Sequence, residues 1–237
     1  MHDQSQVTET TVCEWITTLL EHTPRTTDQY VRPTIFVKSS FYGTAEGEAD
    51  VGFYCVSFDV PRNGKVPTST KVEVSSFRKF DDSVAPSDAK YGAYYAIYRF
   101  ARLSSAHKGF DDALLLNNRG MVAEIASGAS FFLVVGDALL SPPLSSSVLD
   151  GITLNTLFSV AREQFGMRTL RRKIPLSQIT SADEAGCCST LTEVCRIGSL
   201  DGIKVGKETS TIEKLAHFYR KVVLGEIPEY VDWITAI

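Results

Sequence analysis

Between Asp112 and Ser141 four short apolar runs are separated by turn signals, and this stretch constrains the fold more than any other. Asp112 to Leu116 and Met121 to Ala126 flank Asn117-Asn118-Arg119-Gly120, and Phe131 to Val135 and Ala138 to Ser141 flank Gly136-Asp137. Tight strand reversals need backbone angles that Asn, Asp and Gly reach at little cost, so each set predicts a hairpin. Pro142-Pro143 ends the second one.

The remaining segments read as alternating helices and strands. Val12, Trp15, Ile16, Leu19 and Leu20 recur at helical spacing behind Thr8 and predict a helix to about Glu21, before Pro24. Tyr30 to Lys38 and Val51 to Val60 read as strands joined by a loop with Gly and Glu, Pro33 marking the first as an edge strand. Residues 59–70, with two prolines and Gly64, read as a linker between a small unit over 1–58 and a larger one over 71–237. In the larger unit, Lys71 to Ser75 is expected to be a strand and Pro86 to about Ser104 a helix carrying Lys90. Thr153 to Phe165 reads as a helix closed by Gly166, Lys173 to Pro175 as a short strand and Leu176 to Glu184 as a helical turn. Ala185 to Ile197 reads as a strand pair around Ser189-Thr190, and Ile212 to Gly225 as the last helix.

Composition narrows the partners. A net charge of −4 argues against nucleic acid or an anionic membrane as the main partner. No apolar run reaches membrane-span length, and residues 1–6 lack the basic and apolar regions of a signal peptide, so a cytoplasmic protein is expected. The five cysteines form no C-x-x-C pair, so they signal neither a disulfide framework nor a zinc site, and no metal is expected; Cys187 and Cys188 read as buried thiols.

Chemistry concentrates in Lys90-Tyr91-Gly92-Ala93-Tyr94-Tyr95 and in Glu124. A protein makes a lysine nucleophilic by lowering its pKa, and a carboxylate beside a nitrogen heterocycle favours the protonated ring. Taken alone, Lys90 reads equally as a solvated lysine, Glu124 as a surface carboxylate, Thr153 as a plain helix residue, Arg32 as an ion-pair residue, and Tyr30 and Tyr95 as core.

Several runs in order give these residues a common meaning. Tyr30-Val31-Arg32-Pro33, Arg78 with Pro86-Ser87-Asp88-Ala89-Lys90, Tyr95, Gly120-Met121-Val122-Ala123-Glu124, Leu149-Asp150-Gly151-Ile152-Thr153, Ala182-Asp183-Glu184 and Ser189-Thr190-Leu191-Thr192-Glu193 follow one another at fitting separations. Together they resemble the class IV, or fold-type IV, aminotransferases, most closely the branched-chain branch. The resemblance implies an α+β fold with a reduced small domain and a pseudo-barrel large domain. It implies pyridoxal 5′-phosphate as cofactor, with Lys90 as the Schiff-base lysine, Tyr95 on the phenolic oxygen and Glu124 on the pyridine nitrogen. Leu149, Gly151, Ile152, Thr153, Ser189 and Thr190 then form the phosphate cup, and Tyr30, Arg32 and Leu191 meet the substrate. A helix start at Gly151-Ile152-Thr153 suits a phosphate dianion, because free amides and the helix dipole both favour it.

The implied reaction moves an amino group between an amino acid and a 2-oxo acid, in a homodimer. The same opening chemistry also serves lyases, racemases and eliminating enzymes, and a non-catalytic homologue would share the fold. The family pattern departs at Ala129, Leu154 and Ser189, where the relatives carry asparagine, arginine and glycine. The family's phosphate-binding arginine is also expected to be missing with the front of the small domain, at a cost of about 1.5–3 kcal/mol.

Overall fold

A computed structural model describes residues 7–24, 27–38, 51–60, 69–207 and 209–235. Residues 1–6, the loop between the first two strands and most of the expected linker lie outside these. The chain divides into two compact units, Met1–Lys65 with Thr235–Ile237, and Val66–Ile234.

In the first unit α1 spans Glu9–Glu21 and starts with a reciprocal cap: the Thr11 amide donates to Thr8 Oγ1 at 3.2 Å and the Thr8 amide to Thr11 Oγ1 at 2.9 Å. The strands β1 (Gln29–Val37) and β2 (Val51–Asp59) pair antiparallel, with Tyr30 opposite Phe58 and Arg32 opposite Val56. A two-stranded sheet leaves each strand an open edge, which is why Pro33 is accommodated without a donor. Trp15 of α1 packs on Phe53 of β2, ring centroids 4.5 Å apart.

The second unit contains β3 (Ser69–Arg78), α2 (Tyr94–His107), β4 (Asp112–Leu116), β5 (Val122–Ile125), β6 (Ala129–Val135) and β7 (Ala138–Ser141). It continues with α3 (Ile152–Phe165), β8 (Arg168–Arg171), α4 (Ser177–Ser181), β9 (Glu184–Ser189), β10 (Glu193–Leu200), β11 (Ile203–Lys204) and α5 (Thr211–Val223). The sheet runs β10–β3–β4–β5–β6, and β9 pairs with both β6 and β10, closing these strands into a barrel. Both expected hairpins form, β4–β5 and β6–β7.

Strand alternation sorts the side chains. Leu114, Leu116, Val72, Ile125, Phe131, Leu133, Cys187, Cys195 and Ile197 gather from strands all round the barrel into one core. The intervening Ala113 and Leu115 face α2, meeting Tyr94, Tyr98 and Ala101. Phe132, Val134, Cys188 and Val194 pack under α3 and α5 with Leu154, Leu157, Leu215 and Tyr219. Cys187 and Cys188 are thus buried free thiols, on opposite faces of β9.

Three local expectations are corrected. The helix expected from Pro86 begins only at Tyr94, so Lys90 sits in the turn before α2, where the Tyr91 amide bonds Ala89 O at 2.8 Å. Lys173 to Pro175 forms no strand beyond a lone bridge between Met121 and Pro175; the strand is β8, upstream, which pairs with β7. The helical turn expected over Leu176 to Glu184 is limited to Ser177–Ser181, and Glu184 opens β9 instead. Its buried carboxylate accepts from the Thr211 amide at 2.7 Å and the Ile212 amide at 3.2 Å, so it caps α5 from a neighbouring strand.

Gly186 on β9 is set by packing. A Cβ built there lies 2.5 Å from the Phe132 ring and 3.0 Å from the Cys195 carbonyl oxygen. Gly186→Ala is expected to destabilise the protein by about 1–3 kcal/mol, read as a lower denaturant midpoint at unchanged slope.

Candidate functional site

The site lies between α2 and the outer face of β4–β6. Lys90, Tyr95, Glu124 and Leu149 come from four separate segments and line one cavity. Tyr95 is on the first turn of α2, and Glu124 is on β5, opposite Leu115 of β4 and Ser130 of β6. Lys90 is exposed, and the segment carrying it is tied down by Tyr94, whose hydroxyl donates to the Ala85 carbonyl at 2.6 Å.

At the far end, Gly151 is the N-cap of α3, and no side chain caps the first amides of that helix. Thr153 is buried, whereas Ile152 is 84% exposed. A Cβ added to Gly151 lies 2.7 Å from Ser130 Oγ, so the helix start comes close to the Ser130 side chain of β6, and a larger residue would require that hydroxyl to turn aside. Ser130 also faces Cys188, the neighbour of Ser189, across the β6–β9 pairing. One strand therefore connects Glu124, the start of α3 and the β9–β10 turn. In that turn Ser189 Oγ accepts from the Thr192 amide at 3.1 Å, and Leu191 is 47% exposed. Thr190 lies between them. Tyr30 and Arg32 belong to β1 of the first unit; the Tyr30 ring lies 5.0 Å from that of Phe58, tilted to it, and Arg32 is exposed.

Sequence reasoning missed the residues that hold Glu124. Lys79 is buried, and its Nζ stands 2.5 Å from Glu124 Oε1 and donates to the Tyr98 hydroxyl at 2.6 Å. Tyr98 in turn donates to Glu124 Oε1. The ammonium also sits 3.5 Å from the centre of the Tyr94 ring, a cation–π contact. Burial lowers the Lys79 pKa, with Glu124 and Asp82 opposing that shift. Burial drives the Tyr98 phenol far upward, and the adjacent carboxylate adds to it, so Tyr98 stays a donor. Only one local signal marked Lys79, its place beside Arg78 in the matched run. Arg78 points elsewhere, to the Ser75 carbonyl at 2.7 Å.

Comparison with known proteins identifies the family. The profile of the amino-transferase class IV family matches residues 5–200. The chain is 29% identical over 214 residues to the probable branched-chain-amino-acid aminotransferase of Aquifex aeolicus, covering 89% of this chain and 68% of that one. It is 28% identical over 164 residues to the corresponding protein of Synechocystis, of which it spans 53%. Among solved structures, the branched-chain aminotransferase of Thermobaculum terrenum in its PLP form superposes with a TM-score of 0.88 at 28% identity, covering 96% of this chain and 75% of that one. That of Thermoproteus uzoniensis with norvaline gives 0.87 at 26%, covering 94% and 74%. With the profile spanning most of its length and the fold-type IV architecture around Lys90, Tyr95 and Glu124, the chain belongs to the class IV aminotransferases, which transfer amino groups with pyridoxal 5′-phosphate.

Proposed function

We propose that this chain transfers an amino group between a branched-chain amino acid and a 2-oxo acid, with Lys90 as its reactive amine. The observation that carries the reading is the meeting of Lys90, Tyr95, Glu124 and Leu149 around one cavity. The residues fit the cofactor at both ends. Glu124 offers a buried carboxylate for the ring nitrogen, and Tyr95 a hydroxyl for the phenolic oxygen. The uncapped start of α3, with Gly151 and the Thr153 hydroxyl, offers donors for a phosphate. Ser189 and Thr190 add hydroxyls at the β9–β10 turn. The lining leaves a cavity of about 30 Å³, so a ring enters as the exposed Lys90 side chain gives way.

Pyridoxal phosphate, when bound, supplies an electron sink for the pair left as a substrate Cα–H bond breaks. The Lys90 amine takes that proton and returns it, as general base and then general acid. Its exposed position in a turn gives it the reach to move between roles. Glu124 fixes the ring nitrogen, and Tyr95 fixes the edge beside the reacting carbon. Arg32 and Tyr30 are assigned to the substrate carboxylate, an arginine being able to grip it by two charge-assisted bonds, and Leu191 to the substrate side chain.

This reading also takes the protein as a cytoplasmic homodimer with a small domain over 1–58, a linker over 59–70 and a cofactor domain over 71–237. No helix among the described residues is long and apolar enough to cross a membrane. The similarity of the chain to branched-chain aminotransferases supports transamination over elimination or racemisation.

Borohydride reduction of the loaded protein followed by peptide mapping is expected to place the pyridoxyl group on Lys90; an adduct elsewhere, or none, would overturn the assignment. Lys90→Ala is expected to lower kcat by about 10²–10⁴-fold or more, with the fold unchanged by circular dichroism. Thr153→Val removes one donor to the phosphate at a cost of about 1.5–3 kcal/mol, and a spectral titration should show cofactor Kd rising by roughly 10- to 100-fold.

A further inference from the structure

Glu124 faces two claimants for one negative charge. Its side chain is 5% exposed and that of Lys79 is 2% exposed, with Nζ and Oε1 2.5 Å apart. Tyr98 bridges the two groups, and the Tyr94 ring covers the ammonium. Lys79 arrives there by a break in strand register. The β3–β4 pairing shifts between Val74 and Arg78, and the chain beyond the shift continues with the Lys79 amide on the Leu116 carbonyl at 2.9 Å. That bond holds the lysine backbone against β4 while its side chain turns inward.

We propose that Lys79 is a standing counter-cation for Glu124, so that the carboxylate meets the cofactor's ring nitrogen already neutralised and the nitrogen holds its proton less tightly than against an unpaired glutamate. Lys79 is then a positioning residue that acts through Glu124. The inference rests on the cofactor reading above and adds to it a control on ring electronics.

The physical argument is one of net charge in a buried place. A carboxylate and an ammonium cancel, and a neutral ring nitrogen leaves the site neutral. A protonated ring nitrogen beside the same pair leaves one positive charge uncompensated where the effective dielectric is low. The other groups facing the pair are Tyr94, Tyr95 and Tyr98 from α2, Asp82 from the segment after β3, and Lys90. Asp82 is exposed and therefore screened, and Lys90 carries the cofactor in this reading, so neither restores the missing negative charge. A less protonated ring is a weaker electron sink, which places more of the work of removing the Cα proton on Lys90.

The test is a pH titration of the nitrogen-15 shift of ring-labelled pyridoxal 5′-phosphate bound to the full chain. Wild type, Lys79→Arg, Lys79→Met and Lys79→Gln are compared. The glutamine keeps a donor toward Glu124 and Tyr98 without charge, and decides the matter if the methionine variant does not fold. The midpoint of ring-nitrogen protonation is expected to rise by about 1 pH unit or more in the neutral variants, and to stay at the wild-type position with arginine. Coincident midpoints in the wild type and the neutral variants overturn this proposal alone. Failure of every protein to carry the cofactor on Lys90 overturns the functional reading, and this inference with it.

Discussion

Closure of the barrel by β9 is the constraint on which the rest of the large unit depends. The strand pairs with β6 through Ser130–Cys188 to Val134–Glu184 and with β10 through Glu193–Ser189 to Arg196–Gly186. Without it Ser130–Val134 of β6 and Glu193–Arg196 of β10 would lose the strand that pairs with them and leave backbone groups unpaired. With it, a ring of strands encloses Val72, Leu114, Phe131, Cys187 and Ile197 away from water. Apolar burial of this kind contributes roughly 25 cal/mol per Å². The close contact of Gly186 with Phe132 and the Cys195 carbonyl shows how little slack the closing strand has.

The site uses the side of the sheet that the barrel core does not. Alternation along β4 and β5 sends Leu114 and Ile125 into the barrel, and turns Leu115 and Glu124 toward α2. Leu115 and Glu124 therefore stand on a wall stiffened from behind by the barrel core. The start of α3 comes to the same wall because Gly151 approaches Ser130, two strands' width from Leu115 by way of Glu124. A carboxylate and the free amides of a helix start are thus brought to one wall by neighbouring strands and one helix end.

A carboxylate buried on such a wall needs a partner, since an uncompensated charge in the interior costs several kcal/mol. Here the partner is internal: Lys79, bridged by Tyr98 and covered by Tyr94. The cluster links β3, α2 and β5 in one network. It also explains the aromatic crowding of α2, where Tyr94 and Tyr98 serve packing on one side and a charge on the other. Tyr91, by contrast, is half exposed and meets Tyr94 edge-on.

The hairpins between Asp112 and Ser141, the amphipathic α1, α3 and α5, and the succession of short motifs around Lys90 and Glu124 were legible in the chain itself. Turn chemistry, periodicity and motif order are local, and local patterns survive in a linear string. The start of α2 was misplaced because its first residues are held as a turn by Tyr94 on Ala85, a tertiary bond. Glu184 is the cap of α5 only because β9 lies beside that helix, and the two are separated by 27 residues at the Thr211 amide. The partner of Glu124 was hidden for a similar reason. A register shift in β3 changes which way every later side chain points, and pairing register is decided by neighbouring strands. The sequence by itself determined the family and most of the strand-and-helix order, and singled out Lys90 and Glu124 as candidates; only the tertiary structure decided which charge Glu124 meets, because that depends on how β3 is paired.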